Sequence, residues 1–208
     1  DDQQVNSFKA GAGGASSVTL NAGEVDISGV ELEVTALVTD GLRVILNYGY
    51  IDADYQEFLT QRIDPVTALP SPGPDADPIT GVEDISDVAV AGRTPENSAS
   101  AIVSYDFQPF SWGQLNARIE ANYRDEMVFH PQLNLYDSTD DQTLINARVT
   151  LSDIEILGGN LMVAAWGRNL ADEHYREWGI DFATLGFAID SFKEERTYGV
   201  DVMYRFGR

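Results

Sequence analysis

Hydrophobicity in this chain alternates from one residue to the next, and that period restricts the fold to β-structure. In the run Leu115–Arg124, the residues Leu115, Ala117, Ile119, Ala121 and Tyr123 fall on one side. Asn116, Arg118, Glu120, Asn122 and Arg124 fall on the other. A strand has a side-chain period of two, so this segment has one apolar and one polar, charged face. On a helix the same apolar residues would scatter around the axis. The pattern recurs with Val30, Leu32, Val34, Ala36 and Val38, and again with Leu42, Val44, Leu46, Tyr48 and Tyr50. It returns with Ala99, Ala101, Val103, Tyr105 and Phe107, and with Ile145, Ala147, Val149 and Leu151. It returns once more in the terminal "RTYGVDVMYRF".

Asp40-Gly41 separates two such runs, which is a strong hairpin signal. Alternating segments cover about eight strands, near 1–8, 16–38, 41–58, 95–107, 113–129, 141–155, 160–178 and 195–206. Short connections are expected near 39–41, 108–113 and 155–160, and long ones near 9–15, 59–94, 130–140 and 179–194. Such alternation is the asymmetry of an up-and-down barrel with tight turns at one rim. The stretch 59–94 holds five of the eight prolines, and from Ile63 to Gly92 it carries six acidic residues without a Lys, Arg or His. It is expected to be an irregular loop without strands. Val25 and Ile27 sit out of phase with Val30 and Leu32, which a bulge near Ser28-Gly29 would explain. Near 160–175 the phase is open: either Leu161 and Val163 or Met162 and Trp166 lie on the apolar side.

The 208 residues carry a net charge of −21 and no cysteine. Disulfides and thiolate metal sites are thereby excluded, and the acidic balance weighs against a nucleic acid partner. No stretch approaches the roughly 18 consecutive apolar residues of a membrane helix. Asp1 is preceded by no initiator Met or signal peptide, so a mature chain and a piece of a longer one are both compatible. Alternation alone allows two orientations. In a soluble sandwich the apolar side faces inward; in a membrane barrel it faces lipid. Aromatic residues gather towards strand ends, at Tyr48, Tyr50, Tyr55 and Phe58, at Tyr105, Phe107, Phe110 and Trp112, at Tyr123 and Phe129, and at Tyr175 and Trp178. That spacing favours the barrel, whose aromatic girdles mark the two lipid–water interfaces.

Three stretches add a resemblance: "GVELE" at Gly29–Glu33 leading through a hairpin into "YGYIDADYQEF", "NLADEHY" at Asn169–Tyr175, and the terminal "RTYGVDVMYRF". Together they resemble the C-terminal part of a TonB-dependent outer-membrane receptor, with Ala171 standing where that family usually has Phe. The resemblance implies an all-β, antiparallel up-and-down transmembrane β-barrel, of which residues 1–208 would supply about eight C-terminal strands of about 22. The N-terminal plug and the segment that engages TonB have no counterpart here. In such barrels the last strand carries an assembly signal, and Thr197, Gly199, Val202, Tyr204 and Phe206 fit it. Gly207-Arg208 depart from it, because such chains commonly stop at the aromatic.

The implied function is TonB-dependent uptake of a scarce nutrient of the siderophore, cobalamin or glycan class, in the outer membrane of a Gram-negative cell. Implied partners are outer-membrane lipid, the plug and remaining barrel strands, TonB through the plug, and the barrel assembly machinery. A small eight-stranded barrel with a structural or adhesive role, or a soluble all-β binding module, are the alternatives. "DDQQVNSF" argues against closure by this chain alone, since it offers only Val5 and Phe8 as apolar residues for pairing with the last strand.

Arg118, Glu120, Asn122, Arg124 and Arg148 are the expected lumen-facing residues, and Glu31 and Glu33 are expected as wall residues. His130 and His174 belong to different connections, so a shared metal site is not expected. Asp75, Asp77, Glu83, Asp84 and Asp87 offer hard oxygen ligands without the spacing of a calcium loop. No nucleophile motif is present, and neither enzymatic activity nor a cofactor is expected.

Overall fold

The computed structural model describes residues 4–11, 14–21, 23–67, 69–132, 137–182 and 187–206, with the side chains of 5–21 and 181–182 left aside. Along the chain run β1 (Gln4–Gly11), β2 (Gly14–Asn21), β3 (Glu24–Leu37), β4 (Leu42–Glu57), β5 (Leu59–Gln61), β6 (Val82–Asp84), β7 (Asn97–Asp106) and β8 (Gln114–Arg124). They are followed by β9 (Met127–Val128), β10 (Ser138–Thr139), β11 (Gln142–Ile156), β12 (Gly159–Arg168), β13 (Arg176–Phe182), β14 (Phe187–Phe192) and β15 (Thr197–Phe206). Seven of them form one antiparallel meander in the order β3-β4-β7-β8-β11-β12-β15. The short turns 38–41, 107–113 and 157–158 lie at one rim, and the long connections at the other. The last short turn places Leu157 and Gly158 both at positive φ, 49° and 75°, the geometry a two-residue hairpin needs. β3 and β15 form the two edges of the sheet and do not pair with each other.

The registers turn the sequence alternation into two continuous faces. Tyr105, Ala117, Val149, Ala165 and Val200 are successive partners on one. Arg43, Ser104, Arg118, Arg148, Trp166 and Gly199 are successive partners on the other. The apolar face is uncovered: Val200 and Val202 are each 68% exposed and Phe206 86%. A sandwich would have laid a second sheet over it. The open phase near residue 160 is settled, because Leu161, Val163 and Ala165 pair with Tyr204, Val202 and Val200 on the apolar side. Met162 and Trp166 therefore share the polar face.

Several expectations are corrected. The segment 16–38 is two strands, and the long connection expected near 9–15 is largely strand, with Gly11 paired to Gly14 in a β1–β2 sheet separate from the main one and residues 12–13 outside the described residues. Residues 1–3 of the first expected strand, and Gly207-Arg208, lie outside the described residues. The register runs unbroken through Ser28-Gly29; the bulge sits between Glu24 and Val25. Val25 and Ile27 are out of phase because they lie on the polar face beyond the apolar run. There Val25 packs against the buried cluster Tyr55, Phe58 and Ile85. The strand begun at 160 ends at Arg168, and the loop that follows folds into the β13–β14 hairpin. The long stretch 59–94 contains the β5–β6 hairpin, which proline counting could not reveal because its prolines fall between the two strands.

The core of this protein lies in the long connections. Apart from Ala164, every buried apolar side chain among the described residues lies in or beside them: Tyr55, Phe58, Ile85, Val128, Phe129, Tyr175 and Ile180. Tyr55 and Phe58 meet edge to face with centroids 4.8 Å apart. The Asp84 carboxylate accepts the amides of Phe58 (2.9 Å) and Ser86 (3.0 Å), fastening the hairpin base to that cluster. The three long connections also bind one another. The Gln132 side-chain amide acts as a piece of strand: its Oε1 accepts from Ile63 N at 2.9 Å and its Nε2 donates to Gln61 O at 3.0 Å. Val90 N donates to Pro131 O and Arg93 N to Val128 O, at 2.9 and 2.7 Å. Arg176 Nη1 donates to Ser138 O at 3.3 Å, joining the third connection to the second.

Gln132→Ala removes both amide bonds, costing about 1–2 kcal/mol of local stability. We expect faster amide exchange at Ile63 and earlier proteolytic cutting within 59–94, with the sheet unchanged. Hydrogen bonds from the Phe58 amide, then Ser86, hold the Asp84 carboxyl below its ordinary value of 3.8. A lowered folded-state pKa contributes stability above the unfolded value, lost as pH falls through the folded one. Exchange protection of the Phe58 and Ser86 amides should therefore be full above pH 3.8 and be lost progressively as the pH falls from there through the lower folded value, and Asp84→Asn should abolish that dependence.

Candidate functional site: the polar face of the sheet

Side chains on the polar face converge around the register row of Arg118, Arg148 and Trp166. They line a recess of about 380 Å³ bounded by Arg118, Glu120, Asn146, Arg148, Trp166, Arg168 and Asp201. Arg118 and Arg148 are direct partners across β8 and β11, and like charges so placed repel. Each is therefore paired elsewhere. Arg118 Nη2 lies 3.2 Å from Glu120 Oε2, and Arg148 Nη2 lies 2.7 Å from Asp201 Oδ2. Asn122 Nδ2 donates to the other Glu120 oxygen at 2.9 Å. Trp166 Nε1 donates to Asp201 Oδ1 at 3.2 Å, so one carboxylate ties β11, β12 and β15 together. The Arg168 guanidinium sits 5.1 Å above the Trp166 ring, in the range of a cation–π contact.

The glycine of the terminal strand now has a physical role. Trp166 and Gly199 are register partners, and the indole lies flat across Gly199, where any Cβ would collide with its Cζ2 and Cε2. Tyr204 and Phe206 stand on the apolar face with Val202, their rings edge to face at 4.7 Å. The Tyr204 hydroxyl donates to Ile156 O at 2.9 Å, closing the last short turn. Thr197 shares the polar face with Gly199 and pairs with Arg168.

Of the five residues expected on the polar face, Arg118, Glu120 and Arg148 line the recess and Asn122 supports it. Arg124 stands apart at the loop end of β8, 5.6 Å over the Tyr175 ring. Sequence reasoning missed Trp166, Arg168, Asn146 and Asp201 as members of one cluster. Asp201 was legible on the polar side of the last strand, but its partners come from strands distant in sequence. "NLADEHY" is a structural clasp. Asn169, buried with φ 49°, donates from Nδ2 to Glu173 O (2.9 Å) and Glu194 O (3.3 Å), holding both ends of its loop. Its own amide donates to Asn146 Oδ1 at 3.0 Å.

The acidic loop spends its carboxylates internally. Asp77 Oδ1 accepts the amides of Ile79 and Thr80, and Glu83 accepts Gly73 N at 2.7 Å beside Arg62. Asp87 pairs with Arg62 at 3.1 Å. No group of three His, Asp or Glu among the described residues is placed to hold a metal. His130 Nδ1 lies 2.5 Å from Asp137 Oδ1, while His174 belongs to the next long connection.

A long antiparallel meander with one uncovered apolar face, one charged face, tight turns at one rim and long connections at the other defines the outer-membrane β-barrel class. The family described as TonB dependent receptor-like, beta-barrel matches residues 1–170. This chain belongs to that family. Among solved structures, the ferric yersiniabactin uptake receptor of Yersinia pestis superimposes with a TM-score of 0.64 over 91% of this chain, at 18% identity. The chain spans 25% of that receptor's length, and the likeness is one of fold. No curated protein matches.

The contact between Trp166 and Gly199 is testable. Gly199→Val should destabilise the terminal strand by about 1–3 kcal/mol through overpacking, read as a lower temperature of conversion in heat-dependent gel migration. Trp166→Ala in the same chain should recover part of that loss.

Proposed function

We propose that this chain forms part of the wall and surface loops of an outer-membrane receptor for TonB-dependent uptake of a scarce nutrient, of the siderophore, cobalamin or glycan class. One observation carries the reading: an apolar face unbroken across seven strands, on a chain matching the receptor barrel family. In lipid each apolar side chain so placed contributes about 1.5–3 kcal/mol relative to water. In water the same face would be an aggregation surface. The polar face, with Arg118, Glu120, Asn122, Arg124 and Arg148, then lines the aqueous interior, and the interlocked long connections face outward as the capture surface. The closing strand, with Thr197, Gly199, Val202, Tyr204 and Phe206, carries the signal for the barrel assembly machinery.

The unpaired edges of β3 and β15 support a wall completed by further strands, in the same chain or a partner chain. An open edge in lipid leaves backbone groups unsatisfied at several kcal/mol each. A plug filling the interior and engaging TonB completes the transport reading. Siderophore uptake is the finer choice within it, supported by the fold shared with a ferric siderophore receptor.

Cysteine probes test the orientation in native outer-membrane vesicles. Labels at Ile119 and Val202 should be quenched by lipid-dissolved quenchers, and those at Asn122 and Asn146 by aqueous ones. The reverse assignment sinks the reading, as would uptake of labelled ferric siderophore, cobalamin or glycan that is indifferent to deletion of TonB in cells expressing the full receptor.

A further inference from the structure

We propose that the apolar face holds, at its loop-side boundary, a notch for the primary ammonium of a lipid headgroup, formed by Tyr48, Ala99, Tyr123 and Asp125. This rests on the reading of the apolar face as the one that meets lipid. Position is the first argument. Leu32, Tyr48, Ala99, Tyr123 and Thr143 are successive register partners on that face. One step nearer the long connections, the same face presents Tyr50 on β4, Asn97 on β7 and Asp125 just past β8, and Asp52 follows Tyr50. A change from apolar to polar at one level across neighbouring strands, with tyrosines at the change, marks the lipid–water boundary of a barrel.

Shape comes next. Neighbouring strands lie about 4.8 Å apart, so Tyr48 and Tyr123, two strands apart, leave their backbones about 10 Å apart. Between them Ala99 contributes only a methyl group. The two tyrosines are 41% and 37% exposed, so nothing in the chain covers the gap. A group midway between them falls about 5 Å from each side, within reach of a cation–π contact. A chain of hydrogen bonds closes the loop side of the gap. The Tyr48 hydroxyl donates to Asn97 Oδ1 at 2.6 Å, and Asn97 donates from Nδ2 and N to Asp125 Oδ2 at 2.6 and 2.9 Å. The Tyr123 hydroxyl donates to Asp125 Oδ1 at 2.5 Å. The chain arches from β4 to β8 over β7, and the notch beneath it opens onto the apolar face.

Charge decides the kind of occupant. The hydrogen bonds to Asp125 come from neutral donors, and no Lys, Arg or His among the described residues pairs with it. Asp52 and Glu96 add negative charge around Tyr50, and Asp141 adds it around Tyr123. A carboxylate at the edge of hydrocarbon loses hydration and gains from a positive partner. Both tyrosine hydroxyl hydrogens are engaged, so the two hydroxyl oxygens are left only to accept. The occupant must therefore bring positive charge together with N–H donors, which a primary ammonium does. A quaternary ammonium brings the charge without the donors, and a purely anionic headgroup is repelled. Continuity with the lipid-facing surface selects a lipid over a free amine, because acyl chains attached to the ammonium would lie along the apolar residues below the notch.

The test uses the full-length receptor in mild detergent, titrated with phosphatidylethanolamine, phosphatidylcholine or phosphatidylglycerol and read by native mass spectrometry. Phosphatidylethanolamine should bind about tenfold more tightly than the other two, the scale of one hydrogen bond to a charged group. Asp125→Asn should remove that preference. Ala99→Leu, which fills the floor of the notch with an apolar side chain, should remove it with Asp125 still in place. Heat-dependent gel migration checks that each barrel is folded, and Ala99→Leu carries the test should Asp125→Asn fail to assemble. Equal affinity for the three lipids overturns the site, as does a preference that survives either substitution in a folded barrel. Binding of water-soluble phosphoethanolamine as tight as that of the lipid assigns the notch to a free amine, and a preference abolished by a chelator assigns it to a bridging divalent cation; either result overturns the proposal. Absent preference with the Ile119 label still quenched from lipid sinks this site alone. An Ile119 label quenched only from water sinks the orientation and the site together.

Discussion

Everything in this protein depends on the hydrogen-bonded ladder between neighbouring antiparallel strands. The sheet has no side-chain core of its own: its apolar face is uncovered, and its polar face holds a thin layer of ion pairs. Strand therefore holds to strand through backbone bonds, with side chains choosing only which face meets which medium. In hydrocarbon that ladder is strong, because no water competes for an amide or carbonyl and breaking one pair strands both groups. The same property makes an unpaired edge intolerable there, so the open edges at β3 and β15 carry more meaning than they would in a soluble sheet.

Stability of another kind resides above the rim. The long connections form a small soluble-protein core around Tyr55, Phe58 and Ile85, with further buried side chains at Val128, Phe129, Tyr175 and Ile180. They are sewn to one another by Gln132 and Arg176. Their abundant carboxylates serve as acceptors for loop amides, which the Asp77 turn and the Glu83–Gly73 contact illustrate. The loops thus form one connected surface, each long connection hydrogen-bonded to the next.

The polar face unites the two levels. Asp201 joins three strands by accepting from Arg148 and Trp166, while Asn146, two residues before Arg148, accepts the amide that begins the clasp at Asn169. Wall and loops are therefore fastened to each other at the end of β12. Glycine at position 199 serves this arrangement by letting an aromatic ring lie where a side chain would otherwise stand.

The existence of the seven strands of the main sheet, most of their faces, and the alternation of short and long connections between them were legible in the residues alone, because a period of two is written directly in the order of polar and apolar side chains; the extent of β3 and β12 was not. Arg118, Glu120, Asn122 and Arg148 could be placed on one face for the same reason. Other features were beyond that reach. The phase of Met162 and Trp166 required a partner strand, since both alternating sets near residue 160 contain apolar residues. The bulge at Glu24–Val25 and the hairpins inside the long connections required knowing what packs against them, for Val25 follows the loop core and not the wall. The gathering of Trp166, Arg168 and Asp201 with Arg118 and Arg148 depended on register across four strands. Local sequence determines which way a side chain points; only the ladder between distant segments decides which side chains meet.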